Sequence, residues 1–358
     1  MRERVPRQLI TADLLNCGAK AIERCCCPIQ SKEGGSFAHV FRQDRSPCRG
    51  RGSGDKLRLS FLTRRRFLQI SVGVAATGAL ALGEDIVILE PNHPILTTFE
   101  LTFPKLPAAF NGFTIVQLSD FHYDERAAVP IRAAIEIVNG LRPDLIVLTG
   151  DFVTVPPLHK ILRNERSAAQ PAEPCALLLS QLRARLGVVS VLGNHDVDTR
   201  EASWIVKTLN SHGLRVLRNQ SIPIEQGGSR IWISGLDDAW EGDPDIEIAL
   251  RDVPNNDFVV LLVHEPDFAD KMARYPVDLQ LSGHSHGGQI WLPGIGAPWL
   301  PLFARKYPRG MHQIGNLTLY TNMGLGTIRL PIRLNCPPEI TLFTLRCAEA
   351  ARDAGHPV

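Results

Sequence analysis

Seven side chains able to bind a metal stand where short apolar runs end. Phe113–Leu118 runs into Ser119-Asp120-Phe121-His122, Leu145–Leu148 into Thr149-Gly150-Asp151, and Val188–Leu192 into Gly193-Asn194-His195-Asp196. Phe258–Val263 runs into His264-Glu265-Pro266, and Leu279–Leu281 into Ser282-Gly283-His284-Ser285-His286. The donors are carboxylate, imidazole and carboxamide, without thiolate. That borderline-hard set suits Mn, Fe or Zn and is poor for copper or an iron–sulfur cluster. Two divalent ions about 3.5–4 Å apart need a bridging anion, which a carboxylate such as Asp151 can supply. The missing Cβ of Gly150 permits close approach there. On extended chain, Asp120 and His122 project to one side, as do His284 and His286.

The runs that deliver these groups are short and β-rich, the pattern of buried strands. Helical patterns at Ala127–Asn139, Ala176–Leu186 and Trp204–His212 fall between several of them, each followed by a glycine. Strand–helix alternation predicts an α/β fold, in which ligands collect at the carboxyl ends of strands. Asp85–Glu90 and Thr97–Phe103 read as an edge hairpin around Pro91-Asn92-His93-Pro94. Taken singly, the site residues have ordinary explanations: His264 as a core histidine, Asn194 as a turn residue, Asp120 as a helix N-cap. None of these explains five strand ends in succession carrying Asp, Asn or His. His93, His159 and His212 lack such company and read as surface or loop residues.

The ordered set Asp120-x-His122, Gly150-Asp151, Gly193-Asn194-His195-Asp196, His264 and Gly283-His284-Ser285-His286 resembles the motifs of the calcineurin-like metallophosphoesterases. The likeness spans roughly residues 86–346. Gly287-Gly288-Gln289, Leu292-Pro293-Gly294, Tyr307, Gly310, Gly324-Leu325-Gly326 and Arg333-x-x-Cys336-Pro337-Pro338-Glu339 resemble the bacterial membrane-associated branch. The resemblance implies a four-layer α/β sandwich, two mostly mixed β-sheets flanked by helices. It implies two divalent metal ions, one held by Asp120, His122 and His286, the other by Asn194, His264 and His284, with Asp151 bridging. His195 would face the leaving-group oxygen, with Asp196 a candidate to orient it. The expected reaction is hydrolysis of a phosphodiester by a metal-bridging hydroxide. The alternatives are a pyrophosphate hydrolase of the UDP-2,3-diacylglucosamine type, acting on a lipid-linked or nucleotide-sugar substrate, and a non-catalytic metal-binding envelope protein. The apolar stretches Ile290-Trp291-Leu292 and Trp299–Phe303 read either as a rim that meets acyl chains or membrane, or as core strand and loop.

Charge and cysteine divide the chain. Residues 1–66 hold 15 Lys and Arg against 6 Asp and Glu, leaving 24 against 31 in the remainder. A mildly acidic body argues against a dedicated nucleic-acid surface. Five of the eight cysteines precede residue 60, and Cys175, Cys336 and Cys347 show no paired spacing, so no disulfide framework is expected. Residues 1–60 read either as disordered or as an extension from a start placed too far upstream; no Met lies between Met1 and Met272. Thr63-Arg64-Arg65-Arg66-Phe67-Leu68-Gln69 and the weakly apolar residues to Leu82 resemble a bacterial twin-arginine signal, with Ala79-Leu80-Ala81 fitting cleavage. The resemblance implies the twin-arginine machinery as a partner and a periplasmic or envelope location, with the segment cleaved or kept as an anchor in peripheral membrane contact. Such export stands against the UDP-2,3-diacylglucosamine reading, because that step, part of lipid A synthesis, is cytoplasmic. The expected organisation is an extension over 1–60, the signal or anchor over 61–84, the catalytic domain over 85–347 and a disordered tail over 348–358.

Overall fold

Strands with no polar alternation must be covered on both faces, and the apolar runs of this chain are. A computed structural model describes residues 64–156 and 168–348. The expectations for residues 1–60, Thr63, His159 and tail residues 349–358 lie outside the described residues.

The strands are β1 (Ile95–Phe103), β2 (Thr114–Leu118), β3 (Leu145–Leu148), β4 (Val188–Ser190), β5 (Leu214–Val216), β6 (Gln220–Gln226), β7 (Ser229–Gly235), β8 (Val259–Leu262), β9 (Leu279–Ser282), β10 (Gly310–Ile314), β11 (Leu317–Thr321) and β12 (Glu339–Cys347). They form two six-stranded sheets, ordered β1-β12-β2-β3-β4-β5 and β10-β11-β9-β8-β7-β6. Strands β2 to β5 are mutually parallel, and β12 enters antiparallel to β2. In the second sheet β7, β8, β9 and β11 run parallel, with β6 and β10 antiparallel at the edges.

The helices are α1 (Arg64–Glu84), α2 (Ala128–Leu141), α3 (Ala172–Leu179), α4 (Asn194–Asp198), α5 (Ala202–Ser211), α6 (Ile246–Ala249) and α7 (Ala269–Met272). Successive residues of β2 face opposite ways, as pleating requires. Ile115 enters the core between the sheets with Leu145, Phe258, Leu279 and Phe343, while Val116 and Leu118 meet Ile131, Val138 and Leu209 of α2 and α5. Val259 and Leu261 cover the other outer face with Ile246 and Met272. The result is the expected four-layer α/β sandwich. Beneath the site, buried Gln117 of β2 joins the sheets, its Nε2 donating to Ser282 O of β9 (2.9 Å) and Thr149 Oγ1 (3.0 Å).

The expected hairpin is absent. Residues 85–92 are helical, and β1 pairs in parallel with β12, from Ile95↔Glu339 to Phe103↔Cys347. Its partner comes from the far end of the chain, where no local pattern could announce it. Helix α3 ends earlier than its periodicity predicted, at Leu179, and α2 runs through Gly140 to a left-handed cap at Arg142 (φ 52°). Helix α1 exposes Phe67, Leu68, Ile70, Val72 and Val74. Among the described residues no helix is long and apolar enough to cross a membrane. The turn beyond α1 is fastened to the body: Arg333 N donates to Ile86 O (3.0 Å), and the Glu90 carboxylate accepts from the backbone N–H groups of Asn335 and Cys336. Cys175, Cys336 and Cys347 are all free thiols.

Phe343 has no exposure and packs on Phe99 and Tyr320 between the sheets. Phe343→Ala should destabilise the protein by roughly 3–5 kcal/mol. Urea unfolding should show a lower midpoint at unchanged slope; a midpoint equal to wild type would contradict this account of the core.

Candidate metal centre

Each expected ligand lies just past a strand end, and most stand there in an unusual backbone. Asp120 (φ 53°), His122 (φ 40°), Asp151 (φ 57°), His284 (φ 69°) and His286 (φ 52°) are all left-handed. Non-glycine residues seldom adopt this region, and when they cluster there they mark functional sites. The expectation that Asp120/His122 and His284/His286 share a side through extended chain is therefore corrected. Pairing ends at Leu118 and Ser282, and left-handed turns, not the pleat, aim these side chains. Close packing holds the turns. A Cβ on Gly283 would lie 2.3 Å from Asp120 Oδ2, and one on Gly150 (φ 96°) would lie 2.6 Å from Gly193 N.

Asp120, His122, Asp151, His264, His284 and His286 are at most 4% exposed, and Asn194 is 8% exposed. His286 Nε2 lies 3.3 Å from Asp120 Oδ1 and 3.0 Å from His122 Nε2. Asp151 Oδ2 lies 3.3 Å from His122 Nε2 and 3.1 Å from His264 Nε2. Among the described residues, three groupings have candidate ligand atoms within 4.8 Å of one another: Asp120/His122/His286, His122/Asp151/His195 and Asp151/His264/His284. Asn194 opens α4 beside them, its Oδ1 buried without a hydrogen bond.

Hydrogen bonds behind the rings decide which nitrogen faces inward. His264 Nδ1–H donates to Thr149 O (2.6 Å), turning Nε2 toward Asp151. His122 uses Nδ1 on Thr154 Oγ1 (3.0 Å), while His284 Nε2–H donates to Leu302 O (2.8 Å) and leaves Nδ1 free. Thr149, Thr154 and the Leu302 carbonyl had no signal in the sequence, because their contacts join segments distant along the chain. His264 Nε2 and Asn194 Oδ1 are buried with no hydrogen bond. Imidazole and carboxamide groups converging on buried carboxylates form a donor set that fits divalent cations.

Electrostatics support that fit. Burial by itself would raise the Asp151 carboxyl, but the His264, His195 and His122 imidazoles outweigh it and hold it well below the usual range. Burial likewise opposes the charge on His264, which Asp151 and Asp120 nevertheless push well above an ordinary imidazole. Burial raises Asp120 and lowers His284 to about 3. A neutral His284 offers a lone pair to a metal.

His195 lines a cavity of about 590 Å³ above these groups, together with Asp151, Asn194, His284, His286, Trp240, Trp299, Leu302, Arg305 and Arg329. Val155 N–H donates to His195 Nδ1 (3.0 Å), so the ring hydrogen is on Nε2. The expectation that Asp196 orients this ring is corrected. Its carboxylate accepts from the N–H groups of Phe152 (2.9 Å), Val153 (3.1 Å) and Gly193 (3.0 Å), so it fixes the backbone of the two ligand loops instead. Trp240 meets His284 edge-on with ring centroids 5.7 Å apart. Sequence reasoning passed over Trp240 because a single tryptophan in a loop carries no pattern.

A family model described as calcineurin-like phosphoesterase matches residues 113–288. The chain is 38% identical over 291 residues to the Bacillus subtilis protein called "Uncharacterized metallophosphoesterase YkuE", covering 80% of this chain and 98% of that one. It is 34% identical over 289 residues to the Escherichia coli phosphodiesterase YaeI, covering 79% and 99%. It is 28% identical over 343 residues to the Chlamydia trachomatis UDP-2,3-diacylglucosamine pyrophosphatase LpxG, covering 78% and 98%.

Burial disfavours the imidazolium of His195 and lowers its pKa to about 4. At pH 6, where a free imidazole is mostly charged, His195 should be neutral with its hydrogen on Nε2. Ring-nitrogen NMR of the metal-free protein checks this; an imidazolium signal at pH 6 would refute it.

Proposed function

Because this chain belongs to the calcineurin-like phosphoesterase family and is a phosphoric ester hydrolase, we propose that it is a phosphodiesterase working with two divalent cations. Asp120, His122 and His286 would hold one, and Asn194, His264 and His284 the other. The observation that carries this reading is the position of Asp151. Its Oδ2 reaches His122 of the first set (3.3 Å) and His264 of the second (3.1 Å), as a bridging carboxylate must. Mn, Fe and Zn all suit the donors.

Bound there, such cations would supply Lewis-acid charge that lowers the pKa of water and offsets the negative phosphoryl oxygens. The chain's own groups do the rest. The backbone N–H of His195 donates to Asp151 Oδ1 (2.9 Å), keeping that carboxylate turned into the centre. The neutral His195 ring presents Nε2–H at the cavity, where it can donate to a leaving-group oxygen as charge develops. A pKa near 4 makes it a hydrogen-bond donor at neutral pH rather than a charged acid.

A second reading, hydrolysis of a lipid-linked or nucleotide-sugar pyrophosphate, is favoured by the cavity mouth. Trp240, Trp299 and Leu302 are 40–47% exposed there, and the Arg329 guanidinium lies over the Trp299 ring at 4.3 Å. Aromatic and aliphatic groups beside Arg305 and Arg329 suit a substrate both apolar and anionic. The apolar, exposed flank of α1 after Arg64-Arg65-Arg66 supports a twin-arginine signal or retained anchor, and with it an envelope location and peripheral membrane contact. The catalytic domain would then begin near residue 85.

With bis-p-nitrophenyl phosphate and Mn²⁺, wild-type protein should turn over. Asp151→Asn should lose metal and activity together. His195→Ala should keep its metal while kcat falls roughly 10²–10⁴-fold; full activity in that variant would remove the role given to His195. The two substrate readings separate in a comparison of simple diesters with nucleotide-sugar pyrophosphates carrying acyl chains. A rate independent of chain length would eliminate the second.

A further inference from the structure

Arg333 is fully buried, and among the described residues it makes no hydrogen bond to a carboxylate; the Asp120, Glu90 and Glu339 charges support it from farther off. Its guanidinium is instead caged by backbone carbonyls. Nη1 donates to Met323 O (3.1 Å) and Cys336 O (2.7 Å), and Nη2 donates to Gly324 O (3.1 Å) and Gly326 O. Burying an unpaired cation is costly, so an apolar side chain would be the cheaper filling if only volume mattered. The planar fork does what an apolar residue cannot: it satisfies several carbonyls that a tight turn leaves without partners.

The turn held this way stands directly behind the first metal-site carboxylate. Leu325 N donates to Ser119 O (2.9 Å) and Gly326 N to Asp120 O (2.7 Å). A Cβ on Gly324 would lie 2.6 Å from Asp120 Cβ, and one on Gly326 would lie 2.2 Å from Phe121 O. Asp120 is among the left-handed residues of the site, so its backbone needs support from outside its own segment. The cage supplies it. Arg333 is itself fastened by its N–H to Ile86 O, and the neighbouring Asn335 and Cys336 by theirs to Glu90. The cage does not reach the cavity: Arg333 is not among its lining residues.

We infer that Arg333 is a positioning residue for the Asp120 half of the metal centre, acting through the Gly324–Gly326 turn. Glu90 buttresses it from the segment that follows α1. The inference rests on the reading of Asp120 as a metal ligand. None of the Arg333 hydrogen bonds goes to His264 or His284, which meet the caged segment through the Asp120 carboxylate, so loss of Arg333 should weaken the Asp120 half more than the other.

The test titrates Mn²⁺ into metal-free, full-length wild type, Asp120→Asn, Arg333→Gln, Arg333→Lys and Glu90→Gln, counting bound metal per chain by equilibrium dialysis. Thermal unfolding of the metal-free proteins and kcat and KM on bis-p-nitrophenyl phosphate are read alongside. Arg333→Gln should weaken one Mn²⁺ equivalent roughly tenfold or more, the loss expected of charge-assisted hydrogen bonds. The other equivalent should hold, and kcat should fall more than KM rises. Arg333→Lys should recover part of the loss, and Glu90→Gln should show a milder form of it. Should Arg333→Gln not fold, Arg333→Lys and Glu90→Gln carry the same comparison. If Asp120→Asn loses one equivalent while the Arg333 and Glu90 variants keep both and only melt earlier, Arg333 is a structural residue and the inference is overturned. Equal weakening of both equivalents, or tighter binding, overturns it too. If Asp120→Asn itself keeps both equivalents, the ligand assignment fails and the inference falls with it.

Discussion

Two carboxylates, Asp120 and Asp151, are buried side by side with almost no contact with water. A buried carboxylate is costly, by several kcal/mol even after relaxation, unless opposite charge or hydrogen bonds meet it. Much of the site follows from that constraint. His284 N–H donates to both oxygens of Asp120, and His195 N–H to Asp151 Oδ1. Imidazoles surround the remaining oxygens, each turned by a hydrogen bond on its far side or by packing. Where cations are absent, the His264 imidazole carries part of the compensation, which is why its pKa moves upward against its own burial. A divalent cation would take over that role and release the proton.

Bringing these groups together requires strand ends from both sheets. Asp120, Asp151 and Asn194 follow β2, β3 and β4 of one sheet, whereas His264, His284 and His286 follow β8 and β9 of the other. The sheets must therefore keep their relative offset, and the apolar core between them does most of that work. Buried Gln117 adds a polar tie next to the site itself. The same demand explains the glycines at the seams. At Gly283 and Gly150 the facing segments come so close that a Cβ would overlap the Asp120 carboxylate or the opposite backbone. The mouth is built under looser constraints, from Trp299, Leu302, Arg305 and Arg329.

The family, the α/β layering and the identity of the converging residues were legible in the sequence. Buried strands are short apolar runs, and in a parallel sheet each delivers its next residue to one common edge. That pattern is local, so five runs with Asp, Asn or His at their ends could be read without a structure. The pairing of β1 with β12 could not be read, because its two halves lie some 240 residues apart in the chain and neither carries a mark of the other. The backbone of the candidate ligands was also hidden. Extended geometry was the natural expectation for Asp120 to His122 and for His284 to His286, and the left-handed turns found there exist only because the packed surroundings enforce them.

The sequence by itself determined which atoms could bind metal and that they would meet at one edge, since residue type and strand-end position are properties of short segments. Only the tertiary structure decided how they are held. Asp196 braces backbone rather than the His195 ring, His284 turns Nδ1 inward because Leu302 takes its Nε2–H, and Arg333 grips the turn behind Asp120. Each depends on hydrogen bonds to backbone atoms, some of them far away in the chain. Backbone carbonyls and N–H groups are the same at every residue, so the one-letter text cannot say which of them a side chain will find; the folded arrangement of the two sheets can.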